Sequence, residues 1–531
     1  MLPTVSNAPE ACWLRRRGEV PPMHDQDYTP DVARVAWRVL ILNTFAFTVC
    51  FAVWMMNGVL VTWQRDNGVF LWTPAQIGWL MGIPVLTGAL VRLPVGLLTD
   101  RYGGKPVFGT LLLLAAIPTY LVGDCNSFWT FALAGLGFGL TGTGFAVGIA
   151  YTSVWFPRRR QGTALGIFGA GNAGAAATSL GAPSMLAWLT SGGTNLDAWR
   201  MLPKMYAGLL VVTAILFFIF TTNRKPDTGG RTLLQQLRPL KDMRVWRFGL
   251  YYFFVFGAFV ALAQWLISYY VNVYSTTVWL AGILAACFSL PSGVIRALGG
   301  WFSDLWGARA VLHWMFVISL VAFAMLSVPR MDIESPGSGV MARSAGIVTE
   351  VTDVDIAVQD KFGEVARYQY RQSSGELVTE DERNSGNIIF PRWTSWQKVQ
   401  VEVGDSVNKR ELLARGVTRI FFQANIWIFT ALVLVIGITT GIGKAAVYKY
   451  IPEYYPNDVG VVGGMVGVIG ALGGFVCPVI FGYLLQWTGI WTTCWVFLFG
   501  LTLVCLLWKQ VVVQRLLKET QQQSQKEGTT T

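Results

Sequence analysis

Charge is scarce in this chain. Only 13% of its 531 residues are Asp, Glu, Lys or Arg, against 53% hydrophobic, and mean hydropathy is +0.46. A soluble protein of this length needs far more charge to cover its surface, so the composition indicates a polytopic membrane protein. Histidine is nearly missing, with only His24 and His313. No nucleophile–base pair and no metal-ligand cluster can be assembled, so neither enzyme chemistry, metal nor cofactor is expected. Of the seven cysteines, all but Cys12 lie in or beside apolar runs, which gives no disulfide framework. The glycine-rich stretches lack the Gly-Lys-Ser/Thr ending of a phosphate loop. The decisive absence is acidic: no apolar run holds Asp or Glu in its interior.

Twelve runs are long enough to span a bilayer, near 37–63, 75–98, 106–123, 128–155, 162–188, 203–222, 247–273, 277–300, 310–328, 420–448, 459–486 and 489–512. With residues 1–36 as a cytoplasmic tail carrying no cleavable signal pattern, the inward loops hold most of the basic residues, from Arg101 and Lys105 to Arg309. The short outward loops hold only Arg65, Arg200 and Lys204. That bias predicts both termini on the cytoplasmic side of the cell (inner) membrane, and it largely accounts for the +11 net charge. No nucleic-acid partner is needed.

The chain repeats itself. Arg92, Gly96 and Asp100 precede "RYGGK"; Arg296, Gly300 and Asp304 precede "LWGAR" at an offset of 204 residues. "GIFGAGNAG" from Gly166 and "GVIGALGG" from Gly467 form a second pair, at an offset of 301. The economical reading is two six-helix bundles, 37–222 and 247–512, joined by a basic cytoplasmic linker, 223–246, with a tail at 513–531. The extra length in the second half matches a polar insertion, 330–418, on the outward side between spans nine and ten. Its alternating pieces "GIVTEVTDVDIAV", "NIIF" and "KVQVEVGDSV" predict a small β-rich domain. "VEVGDSVNKRELLARG" resembles one hairpin of the biotinyl/lipoyl-like barrel-sandwich fold, but the carrier lysine of that family is absent. The insertion's partner is unknown.

Arg92 lies eight residues from Asp100, roughly 12 Å below the polar end of a helix and near the bilayer midplane. A guanidinium there costs at least about 2.5–3.5 kcal/mol unless it is paired. A structural carboxylate partner is the plain alternative, and the spans contain none. Two midplane arginines in matching places of the two halves therefore imply an anion supplied from outside. The planar fork of Arg suits small trigonal or bent oxyanions better than a Lys point charge would.

"GLLTDRYGGK" resembles the cytoplasmic loop motif of the major facilitator superfamily. "GTGFAVGIAYTSVWFPRRRQGTALGIFGAGNAG" and "GGMVGVIGALGGFVCPVIFG" resemble the glycine-rich signatures of its nitrate/nitrite porter family. "FAVWMMNGV" and "GIGKAAVYKYIPEYYP" fit the same family, the latter its nitrate-importing branch. The resemblance implies nitrate and nitrite as substrates, protons as the coupling ion of the importing branch, and a monomer working in the lipid bilayer. It also implies that Arg92 and Arg296 clamp the anion, with Tyr252, Phe256, Phe145 and Phe51 as aromatic walls. Asn172 can donate an amide hydrogen bond to the anion or simply pack between helices. Lys444 aligns opposite Phe145, which aims it at the cavity; snorkelling to the membrane surface is its other reading. Gly166, Gly169, Gly171, Gly174, Gly467, Gly470 and Gly473 are expected to let spans five and eleven slide or bend. Asp100, Arg101, Lys105, Asp304 and Arg309 are expected to latch the bundles' cytoplasmic ends in the outward-open state. Two rivals remain: a porter for another small or organic anion, and a membrane sensor acting through 330–418.

Overall fold

The computed structural model describes residues 28–225, 238–328, 331–372, 392–422, 425–455 and 459–528. The chain divides into a helical unit and a β unit spanning Leu326–Ala431. The helices are α1 (Pro30–Asp66), α2 (Pro74–Tyr102), α3 (Gly104–Asp124), α4 (Phe128–Ser153) and α5 (Arg158–Gly169 and Gly174–Leu189). They continue with α6 (Leu196–Phe220), α7 (Met243–Tyr274), α8 (Val278–Val294 and Arg296–Trp306) and α9 (Ala308–Leu326). The last are α10 (Ile426–Tyr454), α11 (Val459–Thr488) and α12 (Thr493–Gly528).

Among the described residues, ten of these are long and apolar enough to cross a membrane, or eleven with the bent α8. The expected twelfth, α5, is too weakly apolar: it opens on Arg158, Arg159 and Arg160, and small residues, mostly glycine and alanine, dominate the rest. A 3-10 turn, Ala170–Ala173, lies within it. Helix ends also extend past the expected borders: α1 starts at Pro30, and α12 runs on to Gly528.

The internal repeat is physical as well as textual. Thr73 caps α2 and Thr277 caps α8, each accepting a backbone N–H three residues on. Both helices break one residue before their arginine, at Val91 and Ile295. Both end on a left-handed glycine, Gly103 (φ 88°) and Gly307 (φ 77°), a backbone state that side-chain-bearing residues rarely adopt. All three features keep the 204-residue offset.

The halves meet where α2 packs on α11 and α5 on α8. At one end the backbones nearly touch. A Cβ on Gly78 would lie 2.3 Å from the Pro478 oxygen, one on Gly482 2.4 Å from the Pro74 oxygen, and one on Gly282 2.1 Å from the Ser179 oxygen. At the other end of the same four helices, Gly96, Gly166, Gly300 and Gly464 have nothing within 4 Å. One end is sealed, and the other is parted.

The β unit holds two antiparallel sheets. Strands β1 (Met331–Met341), β7 (Leu412–Phe422) and β5 (Arg392–Val399) form one, in the order β1-β7-β5. The other has the order β4-β3-β2-β6, from β2 (Gly346–Val351), β3 (Asp355–Asp360), β4 (Val365–Gln369) and β6 (Ser406–Val407). "GIVTEVTDVDIAV" forms the β2–β3 hairpin, while "NIIF" lies outside the described residues. Val348, Ile356, Val358 and Leu413 form the core. The first and last strands pair, Met331 opposite Phe422.

Candidate anion site

Irregular backbone builds the centre of the helical unit. Arg92 and Arg296 each follow a helix break. Phe145 follows the 3-10 turn Gly139–Thr143 in α4, Asn172 sits inside the 3-10 turn of α5, and Phe256 sits inside a π-helical stretch, Phe253–Ala258, of α7. Breaks of this kind free carbonyls and re-aim side chains, and inside a membrane they are tolerated only where protein or a cavity meets them.

Arg92 is 4% exposed. Its Nε (3.3 Å) and Nη2 (3.1 Å) donate to the Gly142 carbonyl in the α4 turn, and its Nη1 donates 3.0 Å across the half-to-half interface to the Gly467 carbonyl of α11. Three of a guanidinium's five N–H groups are thus engaged. Trp54, Phe145 and Phe256 surround it, their ring centres 5.8, 5.6 and 5.5 Å from Cζ. Arg296 is half-buried, and its Nη1 is buried with no hydrogen-bond partner. Its Cζ lies 5.5 Å from both the Phe145 and the Tyr448 ring centres. Phe145 therefore touches both guanidiniums. Among the described residues neither arginine forms an ion pair.

The walls are aromatic. Tyr252 stacks on Phe256 (5.2 Å, 6°), Phe256 on Phe145 (6.3 Å, 23°), and Tyr448 meets Tyr252 edge-on at 5.0 Å. The Tyr252 hydroxyl lies near Arg296 and Tyr448, yet is buried without a hydrogen bond of standard geometry. Asn172 is fully buried, and both ends of its amide lack a partner. It lies one turn beyond Gly169, whose added Cβ would meet Arg296 at 3.4 Å. An orphaned buried polar group normally costs about 1–3 kcal/mol, and four such atoms on three side chains, Arg296, Tyr252 and Asn172, lie in this centre.

Phe51 lies one layer away, stacked on Phe259 at 6.3 Å and edge-on to Trp54 at 5.5 Å. Lys444 is fully buried rather than reaching for the surface. Its Nζ lies 3.2 Å from the Phe259 ring centre and donates to the Ser292 hydroxyl at 3.0 Å. Among the glycines, Gly470 leaves room for the Tyr252 ring (2.1 Å to an added Cβ), Gly473 for Phe253, and Gly171 and Gly174 for α1. Gly467 meets the Tyr448 hydroxyl, and Gly166 faces open space.

The expected latch residues make contacts within their own halves. Asp304 pairs with Lys449, and Arg309 donates 2.7 Å to the Tyr454 hydroxyl. Arg101 lies over the Tyr102 ring, and the Lys105 backbone N–H reaches Asn223. Asp100 is half-buried. Among the described residues none of these groups bridges the halves at the parted end.

Three contributors were not singled out from sequence. Tyr448 stands one turn beyond Lys444, and Trp54 lies inside "FAVWMMNGV"; either was findable as an aromatic at helical spacing from a chosen residue. The third is the Gly142 carbonyl, a backbone group with no side-chain signal.

This fold is that of a multi-pass membrane transporter. The Major Facilitator Superfamily model matches residues 42–349 and 412–530, passing over most of the β unit, and the chain belongs to that superfamily. Within it, the chain is 36% identical over 499 residues to a protein of Thermus thermophilus named "Probable nitrate/nitrite antiporter NarK1", covering 93% of this chain and 94% of that one. It is 24% identical to the "Nitrite extrusion protein" of Bacillus subtilis (strain 168), over 85% of this chain and 88% of the relative. It is therefore a member of the nitrate/nitrite porter family. Among solved structures, a bacterial homologue of the human lysosomal transporter Spinster, in an inward-facing and occupied conformation, superposes with a TM-score of 0.59. At 13% identity over 91% of this chain and 98% of the other, that likeness shows the fold.

Proposed function

We propose that the protein carries nitrate, and also nitrite, across the cell membrane by rocking its two halves about an anion held between Arg92 and Arg296. The observation that carries this reading is the pair of guanidiniums on Phe145 with no acid beside them, next to the orphaned Asn172 amide and Tyr252 hydroxyl. A planar anion fits flat aromatic walls, accepts from in-plane N–H donors, and neutralises part of a mutually repelling pair. Tetrahedral or bulky organic anions need more room and more donors than these rings leave. Relatives named for nitrate and nitrite support the same substrates.

With the basic loops cytoplasmic, both termini lie inside, the β unit lies outside, and the sealed end faces outward. The site then opens inward, and closure of the parted end around an empty, repulsive site is disfavoured. That favours anion exchange. Lys444 favours a second coupling mode, proton-linked import, because it is a third buried cation whose proton can be traded as the anion arrives.

Uptake of nitrate into proteoliposomes, with and without internal nitrite and with imposed pH gradients, tests the reading. Uptake that requires internal anion identifies exchange; uptake driven by the pH gradient alone, and lost in Lys444→Met, identifies proton coupling. Nitrate uptake in neither arm overturns the proposal.

A further inference from the structure

A second cationic centre lies away from the anion path, inside the C-terminal half at the parted end. Helices α7, α9, α10 and α12 enclose a cavity of about 20 Å³ there. Arg247 comes from α7, Arg309 from α9 and Lys509 from α12, and Tyr251, Tyr450 and Tyr454 line the same space. Lys509 is only 6% exposed, with no hydrogen bond or ion pair to any described residue. Its charged neighbour is Arg309, which repels it. The acids nearby are otherwise placed. Glu453 faces Arg309 but is exposed, and Asp242 accepts from the Tyr455 hydroxyl and, at 2.9 Å, from the Arg244 N–H. Three cations thus converge on a space that no acid among the described residues enters.

We propose that this cavity binds a phosphate oxygen of an anionic phospholipid headgroup. The reading is separate from the transport site and from its substrate. A buried Lys with only like-charged neighbours is costly unless an anion is supplied, and Arg, Lys and tyrosine hydroxyls are the donors that phosphate oxygens take. The cavity has room for about one oxygen-sized group, so the rest of the ligand must lie outside it. Outside it, the α12 face is apolar and exposed at Leu507 and Val511, as acyl chains require. Trp246 on α7 and Trp314 on α9 are exposed, and tryptophan is a side chain that settles at headgroup level. Basic pockets between spanning helices at a membrane surface are suited to acidic lipid headgroups.

Native mass spectrometry of the purified full chain, titrated with phosphatidylglycerol, phosphatidylcholine or inorganic phosphate, tests this. The wild type should retain phosphatidylglycerol in preference to phosphatidylcholine. Lys509→Gln should weaken that retention at least about fivefold, the loss expected for one basic contact at a membrane surface. Arg247→Gln, on a different helix, should do the same, so a folding failure of one variant leaves the other to decide. Equal retention of both lipids, or equal retention by wild type and variants, overturns the proposal. Displacement of the lipid by millimolar inorganic phosphate would assign the cavity to the free anion and overturn the lipid assignment.

Discussion

The two halves place matching arginines at matching helix breaks, yet use them differently. Arg92 is anchored: its N–H groups hold the Gly142 carbonyl in its own half and the Gly467 carbonyl in the other. Arg296 is loose, stacked on rings with Nη1 unpartnered and its side chain only half-buried. Identical residues on a repeated scaffold have thus become a fixed wall and a waiting hand. The difference comes from their neighbours. A 3-10 turn in α4 turns a carbonyl toward Arg92, whereas aromatic rings, Phe145 and Tyr448, cover Arg296.

This contrast yields opposite signatures for one substitution. Arg296→Lys should lower nitrate transport at least about 100-fold, the scale of a charged hydrogen-bonded contact, while leaving thermal stability unchanged or higher. Arg92→Lys should lose transport to a similar degree and also melt several degrees lower, because two buried carbonyls lose their donors. Equal melting temperatures for the two variants would erase the distinction between anchor and hand.

Much of this was legible in the sequence. The Arg–Gly–Asp spacing and the missing intramembrane acids pointed to the arginine pair, and 3.6-residue periodicity put Tyr252 and Phe256 on one face. The anchoring of Arg92 was not legible, because its acceptors are backbone carbonyls, Gly142 in a local 3-10 turn and Gly467 on α11. The partner of Asp304 was not legible for a related reason. Its partner Lys449 lies 145 residues away on α10, and only the packing of α8 against α10 brings them together. α5 shows a third limit: its run is long enough to cross a bilayer, but its small residues make it too weakly apolar to qualify as a span.

Smaller effects sharpen the comparison. Asn172→Leu removes the orphaned amide and keeps the volume. Nitrate KM should rise about tenfold, as for one lost polar contact, and melting temperature should rise slightly. An unchanged KM would make Asn172 a packing residue. Gly282→Ala sets a Cβ against the Ser179 oxygen at the sealed end, and Gly300→Ala meets open space at the parted end. Cysteine-accessibility labelling should show the first variant opening outward more often, and the second should behave as wild type. The smallest effect concerns pH. Burial pushes the Asp242 carboxyl up, but the Tyr455 hydroxyl and the Arg244 N–H outweigh it and hold the group below its ordinary range. Its contribution is complete above about pH 4 and fades as pH falls through the depressed folded value, so acid melting curves of Asp242→Asn should be flatter than wild type.

Equilibrium binding of nitrate to the purified protein, wild type against Arg296→Lys, tests the clamp most directly. Saturable binding in the wild type, weakened at least about 100-fold in the folded variant, is the predicted result. Undiminished nitrate affinity in Arg296→Lys would contradict the account.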